Sequence, residues 1–174
     1  MTTTRKRIKI VGINSRFTHS CLARFYVRNA LEKNCPEAQL EIIQFTINDN
    51  YYEILLRLTE GDPHYIFFSA AIWNSSLVER LVGDLRTCLN SCRVVIVGPQ
   101  SRVLGDRLGK VCCSVVIGAI EAVDPEFYRH LKNGNLKDRY HGSFFAVENR
   151  SFEYPYQTSD FTSHLKNRHI YYES

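Results

Sequence analysis

The sequence predicts a doubly wound α/β domain, a three-layer arrangement in which helices cover both faces of a parallel sheet. Strand-like and helix-like segments alternate five times with short connections, which favours parallel strands joined by crossover helices. The third predicted strand, residues 64–69, is almost continuously apolar, as expected of a strand buried on both faces. A chain of 174 residues suits one domain with an appendage and is long enough for a substantial core.

The first two strand–helix units occupy residues 8–61. The first strand, with Ile8, Ile10 and Val11, stops at Gly12. Apolar residues then recur at helical spacing from 22 to 31, and Pro36 closes the unit. The second strand is predicted at 40–45, and the second helix has an apolar stripe over 51–58 that ends at Gly61.

The remaining three units follow the strand at 64–69. Ser76 and Glu79 have the spacing of a capping box, which predicts the start of a helix with an apolar stripe over 77–89. The next elements are a strand at 93–97, a weaker helix around Leu104 and Leu108, a strand at 114–117, and a helix at 125–131 stopped by Gly134.

The segment after the last helix has a different character, which divides the chain into a domain at 1–137 and a tail at 138–174. Residues 143–147 and 151–154 could pair as a hairpin, and 155–174 resemble an extended linker. Exposed aromatic residues in such a tail would be unusual unless they covered something, so we expect a missing partner domain. They are Phe152, Tyr154, Tyr156, Phe161, Tyr171 and Tyr172.

Composition and charge exclude several classes of protein. At 44% hydrophobic and 23% charged, the chain has the composition of an ordinary globular protein. The net charge of +4 is mild, and the basic cluster at 5–7 leads straight into a strand, so no nucleic-acid partner is predicted. Apolar runs are too short for a signal peptide or a membrane span. Six cysteines without paired metal spacing predict reduced thiols in the cytoplasm.

Familiar catalytic motifs do not occur in the sequence. No GxGxxG motif or phosphate-binding loop follows the first strand, and no acidic pair follows it either. The pairs Cys88/Cys92 and Cys112/Cys113 lack companion pairs, so packing is a better interpretation than zinc binding. Among the histidines, only His19 lies in a candidate binding loop, where a capping or hydrogen-bonding role is as plausible as a ligand role. No catalytic residue is predicted.

The candidate binding site is the set of loops that follow the strands. In an open parallel sheet, ligands bind beyond the carboxyl ends of the strands, where the strand order reverses. The loops there are 14–20, 69–74, 98–102 and 118–121, which we call the strand-end site. Small residues in them would leave a wide opening for a large flat ligand. The alternative, favoured by composition alone, is that the glycines only make tight turns.

Four sequence runs resemble the N-terminal cobalamin-binding domain of cobalamin-dependent radical S-adenosylmethionine (SAM) proteins. The runs are VGINSRFTHSCLA, QFTIND, FFSAAIWN and VVIVGP, their spacing also fits, and the match covers nearly the whole chain. The segment LKNRHIYYES resembles the piece that leads into that family's catalytic barrel, where a CxxxCxxC motif normally follows. The present chain contains no CxxxCxxC motif, so it resembles the binding domain alone.

The resemblance implies a flavodoxin-like or Rossmann-like sheet with strand order 2-1-3-4-5 and a cobalamin held at the strand ends. A radical SAM domain, in cis or in trans, would carry the 4Fe-4S cluster and SAM and perform radical chemistry, often methyl transfer. Mutase-type domains carry Asp-x-His-x-x-Gly after the first strand. Here Asn14 and Arg16 stand near those positions, so the cofactor would bind base-off without a histidine ligand. The implied cofactor-binding residues are Asn14, Ser15, Arg16, His19, Ser69, Ala71, Trp73, Asn74, Gly98, Pro99, Gln100, Gly118 and Glu121.

Two departures from the family pattern keep an alternative open. The family's fourth and fifth strands tend to end in Gly-Gly-Pro-Glu and Gly-Glu-Gly-Glu, whereas this chain has VGPQ at 97–100 and GAIE at 118–121. The alternative is an interaction module that keeps the fold and has lost the cofactor. A small nucleotide-binding α/β enzyme is a weaker third hypothesis, because no phosphate-binding loop supports it.

Overall fold

One parallel sheet organises the structure, a computed structural model that describes residues 5–109, 113–143 and 154–171. Within these residues six strands pair in the order β2-β1-β3-β4-β5-β6, and every neighbouring pair is parallel. The strands are β1 Arg7–Asn14, β2 Gln39–Thr46, β3 Tyr65–Ser69, β4 Arg93–Val97, β5 Cys113–Ile117 and β6 Arg139–His141. The helices are α1 Leu22–Asn34, α2 Tyr51–Thr59, α3 Ser75–Cys88, α4 Ser101–Leu108, α5 Pro125–Asn133 and α6 Asp160–Ser163.

Helices cover both faces of the sheet, because alternate residues of each strand enter different cores. In β3, Phe67 packs with residues of α1 and α5, whereas Ile66 and Phe68 pack with residues of α2, α3 and α4. The predicted doubly wound α/β class is therefore confirmed. The strand order reverses between β1 and β3, which is where the predicted site lies.

The ends of the helices differ in part from the sequence prediction. Gly134 ends α5 in a left-handed conformation (φ 76°), as its position predicted. The predicted capping box of Ser76 and Glu79 is wrong, since α3 begins at Ser75 with Asn74 at the N-cap position. The side chain of Asn74 is engaged elsewhere, as described below.

The region predicted as a tail contributes to the sheet and to the core. The three residues of β6 pair with β5 and give the sheet one strand more than the predicted order 2-1-3-4-5. The predicted hairpin falls mainly on residues 144–153, which lie outside the described part of the chain. The residues from 154 to 171, which we call the strap, return across α1 to the loop after β1.

The strap is packed, so the prediction of an extended linker is wrong. Tyr156 and Leu165 form a small core with Phe25 of α1, and Tyr156 is buried rather than exposed. The side chains of Arg28 and Asp160 are 6% and 2% exposed and form an ion pair at 2.6 Å. Tyr154, Phe161 and Tyr171 are exposed, as predicted.

Candidate functional site

Two side chains of the loop after β3 cross to the end of β1 at the point where the strand order reverses. The indole Nε1 of Trp73 and the amide Nδ2 of Asn74 both donate to the carbonyl of Ile13, at 3.2 and 2.9 Å. Asn74 also donates to the carbonyl of Ser69 and accepts from the N–H of Ala71, so its buried amide holds the loop in place. A buried amide with three partners is a rigid support for exposed neighbours.

The loop after β1 is fixed by donors that converge on one carbonyl. The His19 carbonyl accepts from Asn14 Nδ2 at 2.8 Å, from Gln44 Nε2 at 3.1 Å and from Arg168 Nη1 at 3.3 Å. The His19 N–H donates to the Arg16 carbonyl at 3.1 Å, which closes a turn. Residues from β1, β2 and the strap therefore set the conformation of the candidate binding loop before any ligand arrives.

The strap also determines where the His19 ring lies. The Tyr171 hydroxyl lies 2.7 Å from His19 Nδ1, and the rings of His19 and His169 meet edge-on at 6.0 Å. On the backbone, the His169 N–H donates to the Thr18 carbonyl at 2.7 Å, and Ser20 Oγ donates to the His169 carbonyl at 2.9 Å. Sequence reasoning missed these residues, because nothing local signals a contact between residues about 150 positions apart.

Arg24 lies behind this loop with a buried guanidinium that lacks a full set of hydrogen-bond partners among the described residues. Its side chain is fully buried in the first turn of α1, and Nε and Nη1 have no hydrogen-bond partner among the described residues. The remaining nitrogen, Nη2, makes one long contact of 3.5 Å with the His164 carbonyl. Burial lowers the pKa of Arg24 to about 10, so the guanidinium stays protonated at neutral pH.

The loop after β4 is shaped by a close approach of two backbones. Gly98 has a φ of 93°, and a Cβ there would lie 2.7 Å from the Ala70 carbonyl oxygen. The Ala70 N–H donates to the Val97 carbonyl, and the Gln100 N–H donates to the Ala70 carbonyl at 3.1 Å. Gly98 therefore meets a steric need of the backbone, which is the tight-turn alternative considered for the glycines.

The loop after β5 contributes Gly118 and Glu121. Gly118 has a φ of 98°, and Glu121 is exposed in a short 3-10 helix, Ile120–Ala122. This loop follows β5, which is separated from β1 by β3 and β4, so it borders the site at a distance from the loop after β1.

Accessibility sorts the predicted site residues into three groups. Arg16, Trp73, Pro99 and Glu121 are exposed, and Ser15, His19, Gly98, Gln100 and Gly118 are partly buried. Asn14, Ser69, Ala71 and Asn74 are buried and form the framework of the site. In this conformation of the protein, a ligand can contact the exposed residues fully and the partly buried residues in part.

Large apolar side chains are exposed at this edge of the sheet. Phe17, Ile72 and Trp73 are 72%, 79% and 58% exposed, and they follow the neighbouring strands β1 and β3. Ile47, at the end of β2, is also exposed. Phe17 and Ile72 lie in the predicted loops, but only Trp73 of these four was among the named cofactor-binding residues. Exposed apolar side chains gathered at one end of a sheet are typical of a binding surface.

The chain's thiols and histidines do not assemble into a metal centre in the described regions. No three His, Cys, Asp or Glu residues converge there as metal ligands, and Cys21, Cys35, Cys88, Cys92 and Cys113 are free thiols. Burial raises the pKa of Cys35 to about 11 and that of Cys92 to about 12. None of the helices in the same regions has the length and hydropathy that a membrane span needs.

The structure defines an α/β domain of the Rossmann or flavodoxin type with an elaborated edge at the strand ends. No protein-family model and no curated protein matches the sequence. Solved structures match it in fold, and we describe three of them.

TsrM from Kitasatospora setae, a radical SAM methyltransferase, aligns with 74% of this chain at a TM-score of 0.57 and 16% identity. OxsB, a cobalamin-dependent radical SAM enzyme, aligns with 78% at a TM-score of 0.57 and 15% identity. A cobalamin-binding protein from Desulfitobacterium hafniense DCB-2 aligns with 63% at 0.46 and 16% identity, over 52% of its own chain. The present chain spans 26% of TsrM and 20% of OxsB. The resemblance predicted from the sequence is thus confirmed at the level of the fold.

Proposed function

We propose that this chain is a cobalamin-binding domain that holds the corrin over the strand-end site for a radical SAM catalytic domain. The observation that carries the proposal is the exposed apolar surface of Phe17, Ile72 and Trp73, placed at the carboxyl ends of the strands. The fold shared with parts of TsrM and OxsB supports it. A corrin is a wide, flat ligand, and exposed apolar side chains beside it would lose water-accessible area on binding.

We propose that the cofactor would be held base-off without a protein ligand, and Arg16 and His19 in the loop after β1 are the residues that bear on this. Arg16 is exposed in the loop after β1, and a protonated guanidinium has no lone pair to donate to a metal. His19 lies before α1, with its Nδ1 hydrogen-bonded to Tyr171. We infer that cobalt would have no protein ligand: Arg16 cannot provide one, and His19, whose Nε2 takes no part in the bond to Tyr171, lies in the turn before α1.

The chain's own contribution would be binding and orientation. Cobalamin supplies the reactive metal when it is bound. The buried amides of Asn14 and Asn74 hold the loops after β1 and β3, and Trp73 covers the end of β1. A partner domain in cis or in trans, with its 4Fe-4S cluster and SAM, would supply the radical or methyl-transfer chemistry. The exposed Tyr154, Phe161 and Tyr171 are suited to contact that partner.

A second candidate function is an interaction module that has lost the cofactor. The hydrogen bonds from Trp73 and Asn74 to Ile13 bridge the crevice between β1 and β3. The contact between Gly98 and Ala70 leaves no side-chain-sized gap between the loops after β3 and β4. Both features favour a surface over a deep cofactor slot.

Titration of the purified chain with hydroxocobalamin separates the two functions. We expect saturable binding with a change in the visible spectrum, and a loss of at least about tenfold in affinity for Trp73→Ala. Leu56→Ala is the matched control, because Leu56 is an exposed apolar residue on α2. A folded chain that shows no saturable change would rule out the cofactor and favour the interaction module.

A further variant tests the axial position. His19→Ala should change cobalamin affinity by about 1 kcal/mol, the contribution of an ordinary hydrogen bond, and leave the visible spectrum unchanged. Nitrogen coupling from a histidine in the Co(II) resonance spectrum would show instead that His19 is a ligand.

A further inference from the structure

A groove of about 650 Å³ lies at the opposite end of the sheet from the strand-end site. Its walls are residues just before the strands, with Lys6 before β1, His64 before β3 and Ser91 before β4. The last turn of α3 and the loop after it, from Leu85 to Ser91, complete the groove. None of the residues proposed to bind cobalamin lines this groove.

The groove is lined by cations from three separate elements. Lys6, Arg86 and Arg93 line it, and none of its described lining residues is acidic. Arg93 has partners outside the lining, because its Nε donates to Ser114 Oγ at 3.3 Å and its Nη2 lies 4.0 Å from Asp138 Oδ1. Arg86 is in the last turn of α3, where a cation offsets the negative end of the helix dipole, but Lys6 and Arg93 have no such role.

Two further positive charges of the same region, Arg5 and Arg7, donate to backbone carbonyls. Arg7 donates to the carbonyls of Gly61 and Asp62, each at 2.7 Å, and Arg5 donates to the Glu37 carbonyl at 2.9 Å. Those two side chains therefore stabilise the fold through hydrogen bonds to the backbone. Lys6, between them in the sequence, lines the groove instead.

Neutral hydrogen-bond donors accompany the cations. His64 Nδ1 accepts from the Arg7 N–H at 3.1 Å, so the proton of the neutral ring is on Nε2. Burial, followed by the charges of Arg7 and Lys6, lowers the pKa of His64, which keeps the ring neutral at pH 7. Asn90 and Ser91 add an amide and a hydroxyl to the lining.

Apolar residues also line the groove, and Leu89 is partly exposed there, whereas Leu85 and Val94 are buried. We propose that this groove binds a small phosphorylated molecule of nucleotide size. Lysine and arginine side chains would hold the phosphates by charge-assisted hydrogen bonds, and Leu89 would contact the apolar part of the ligand. The volume lies within the range of small-molecule sites in proteins.

Calorimetric titration of the full chain with ADP, pyrophosphate and adenosine at constant ionic strength tests this proposal. We expect saturable binding of ADP, weaker binding of pyrophosphate and no binding of adenosine. Lys6→Glu and Arg86→Glu should each weaken ADP at least about tenfold. Lys166→Glu, the same charge change at an exposed position of the strap outside both sites, should leave the affinity unchanged.

Three results would overturn the proposal. One is the absence of saturable heat with ADP in a chain that circular dichroism shows to be folded. Another is an equal loss of ADP affinity in Lys166→Glu, which would show that ADP responds only to the net charge of the chain. The third is far tighter binding of a single-stranded oligonucleotide than of ADP, which would show that the groove binds a nucleic acid rather than a small molecule. Hydroxocobalamin titration of Lys6→Glu separates this groove from the proposed cofactor site, because only the strand-end site should bind cobalamin.

Discussion

Arg24 is a single residue whose surroundings are expected to lower the free energy of unfolding. Its guanidinium is fully buried and protonated, yet two nitrogens lack a partner in the described regions. The face of Phe25 at 4.6 Å, the long contact with the His164 carbonyl and the charges of Cys21 and Asp160 compensate it in part, but burial outweighs them and lowers the pKa of Arg24. A buried charge without a full set of partners is unfavourable, whereas an apolar side chain of similar shape is not.

The substitution Arg24→Met should therefore raise the free energy of unfolding by about 1–3 kcal/mol. Urea denaturation at neutral pH measures it. Arg24→Lys is the control, since it keeps a buried charge and should not stabilise the chain. A clear loss of stability in Arg24→Met would mean that the guanidinium is fully solvated or paired in solution.

Gly98 gives a second prediction for a single residue. Gly98→Ala forces a Cβ against the Ala70 carbonyl oxygen at a positive φ, so we expect a loss of about 1–3 kcal/mol of stability. Gly83→Ala is the matched control. A Cβ at Gly83, inside α3, meets no atom within 4 Å, and alanine there should add up to about 1 kcal/mol. Thermal unfolding of both variants compares the positions, and equal effects would contradict the steric role of Gly98.

At the scale of an element, the buried ion pair between Arg28 and Asp160 helps to hold the strap on α1. Asp160→Asn would leave the Arg28 guanidinium buried without its counter-charge, which typically costs about 3–5 kcal/mol. We expect faster amide hydrogen exchange in residues 156–171 and also in 16–20, because His169 and Arg168 hold that loop.

Asp106→Asn provides the comparison for the ion pair. Asp106 pairs with Arg139 on the surface, where both side chains are about half exposed, so its loss should cost no more than about 1 kcal/mol. Unchanged exchange of residues 16–20 in Asp160→Asn would show that the loop after β1 keeps its conformation without the strap.

Elements with a clear hydrophobic period could be predicted from the sequence, and those without one could not. Each strand from β1 to β5 carries enough apolar residues to be recognised, and the order 2-1-3-4-5, which the family resemblance implied, was correct as far as it went. The three residues of β6 include one buried side chain, Tyr140, which is too short a pattern to detect. The strap was missed because its stability comes from Phe25 and Arg28, far away in the sequence.

The candidate site was predictable in position but less so in the role of each residue. The end of a strand marks where a loop begins, so Asn14, Asn74 and Gly98 were placed correctly at the carboxyl edge. Their roles depend on partners that only the fold brings together, such as Ile13 for Asn74 and Ala70 for Gly98. A polar side chain in a loop sequence looks the same whether it faces solvent or a buried carbonyl.

For the whole molecule, the raised pKa values of two cysteine thiols predict that the free energy of unfolding falls at alkaline pH. Burial raises the pKa of Cys92 from 9.0 to about 12 and that of Cys35 to about 11. Because these thiols hold their protons more tightly in the folded chain, their contribution to stability is complete below pH 9. It is lost as the pH rises from 9 toward 11 and 12.

Urea unfolding between pH 8 and pH 11 should show this decline, and Cys92→Val should show a shallower one. Lys9, whose pKa is lowered by burial, changes stability with the opposite sign and is present in both chains. The difference between the curves therefore reports the thiol together with its charge interaction with Lys9. Parallel curves for the two chains would show that Cys92 is not buried in solution.

The path of the strap has a kinetic consequence. Ser20 and His169 are 149 residues apart, and His19 and Tyr171 are 152 apart, so their hydrogen bonds close very long chain loops. Closing such loops is entropically costly and slow compared with local pairing. During synthesis, the sheet from β1 to β5 can assemble while the loop after β1 still lacks Arg168 and His169. The loop that begins the candidate site is therefore among the last parts of the molecule to take its final form.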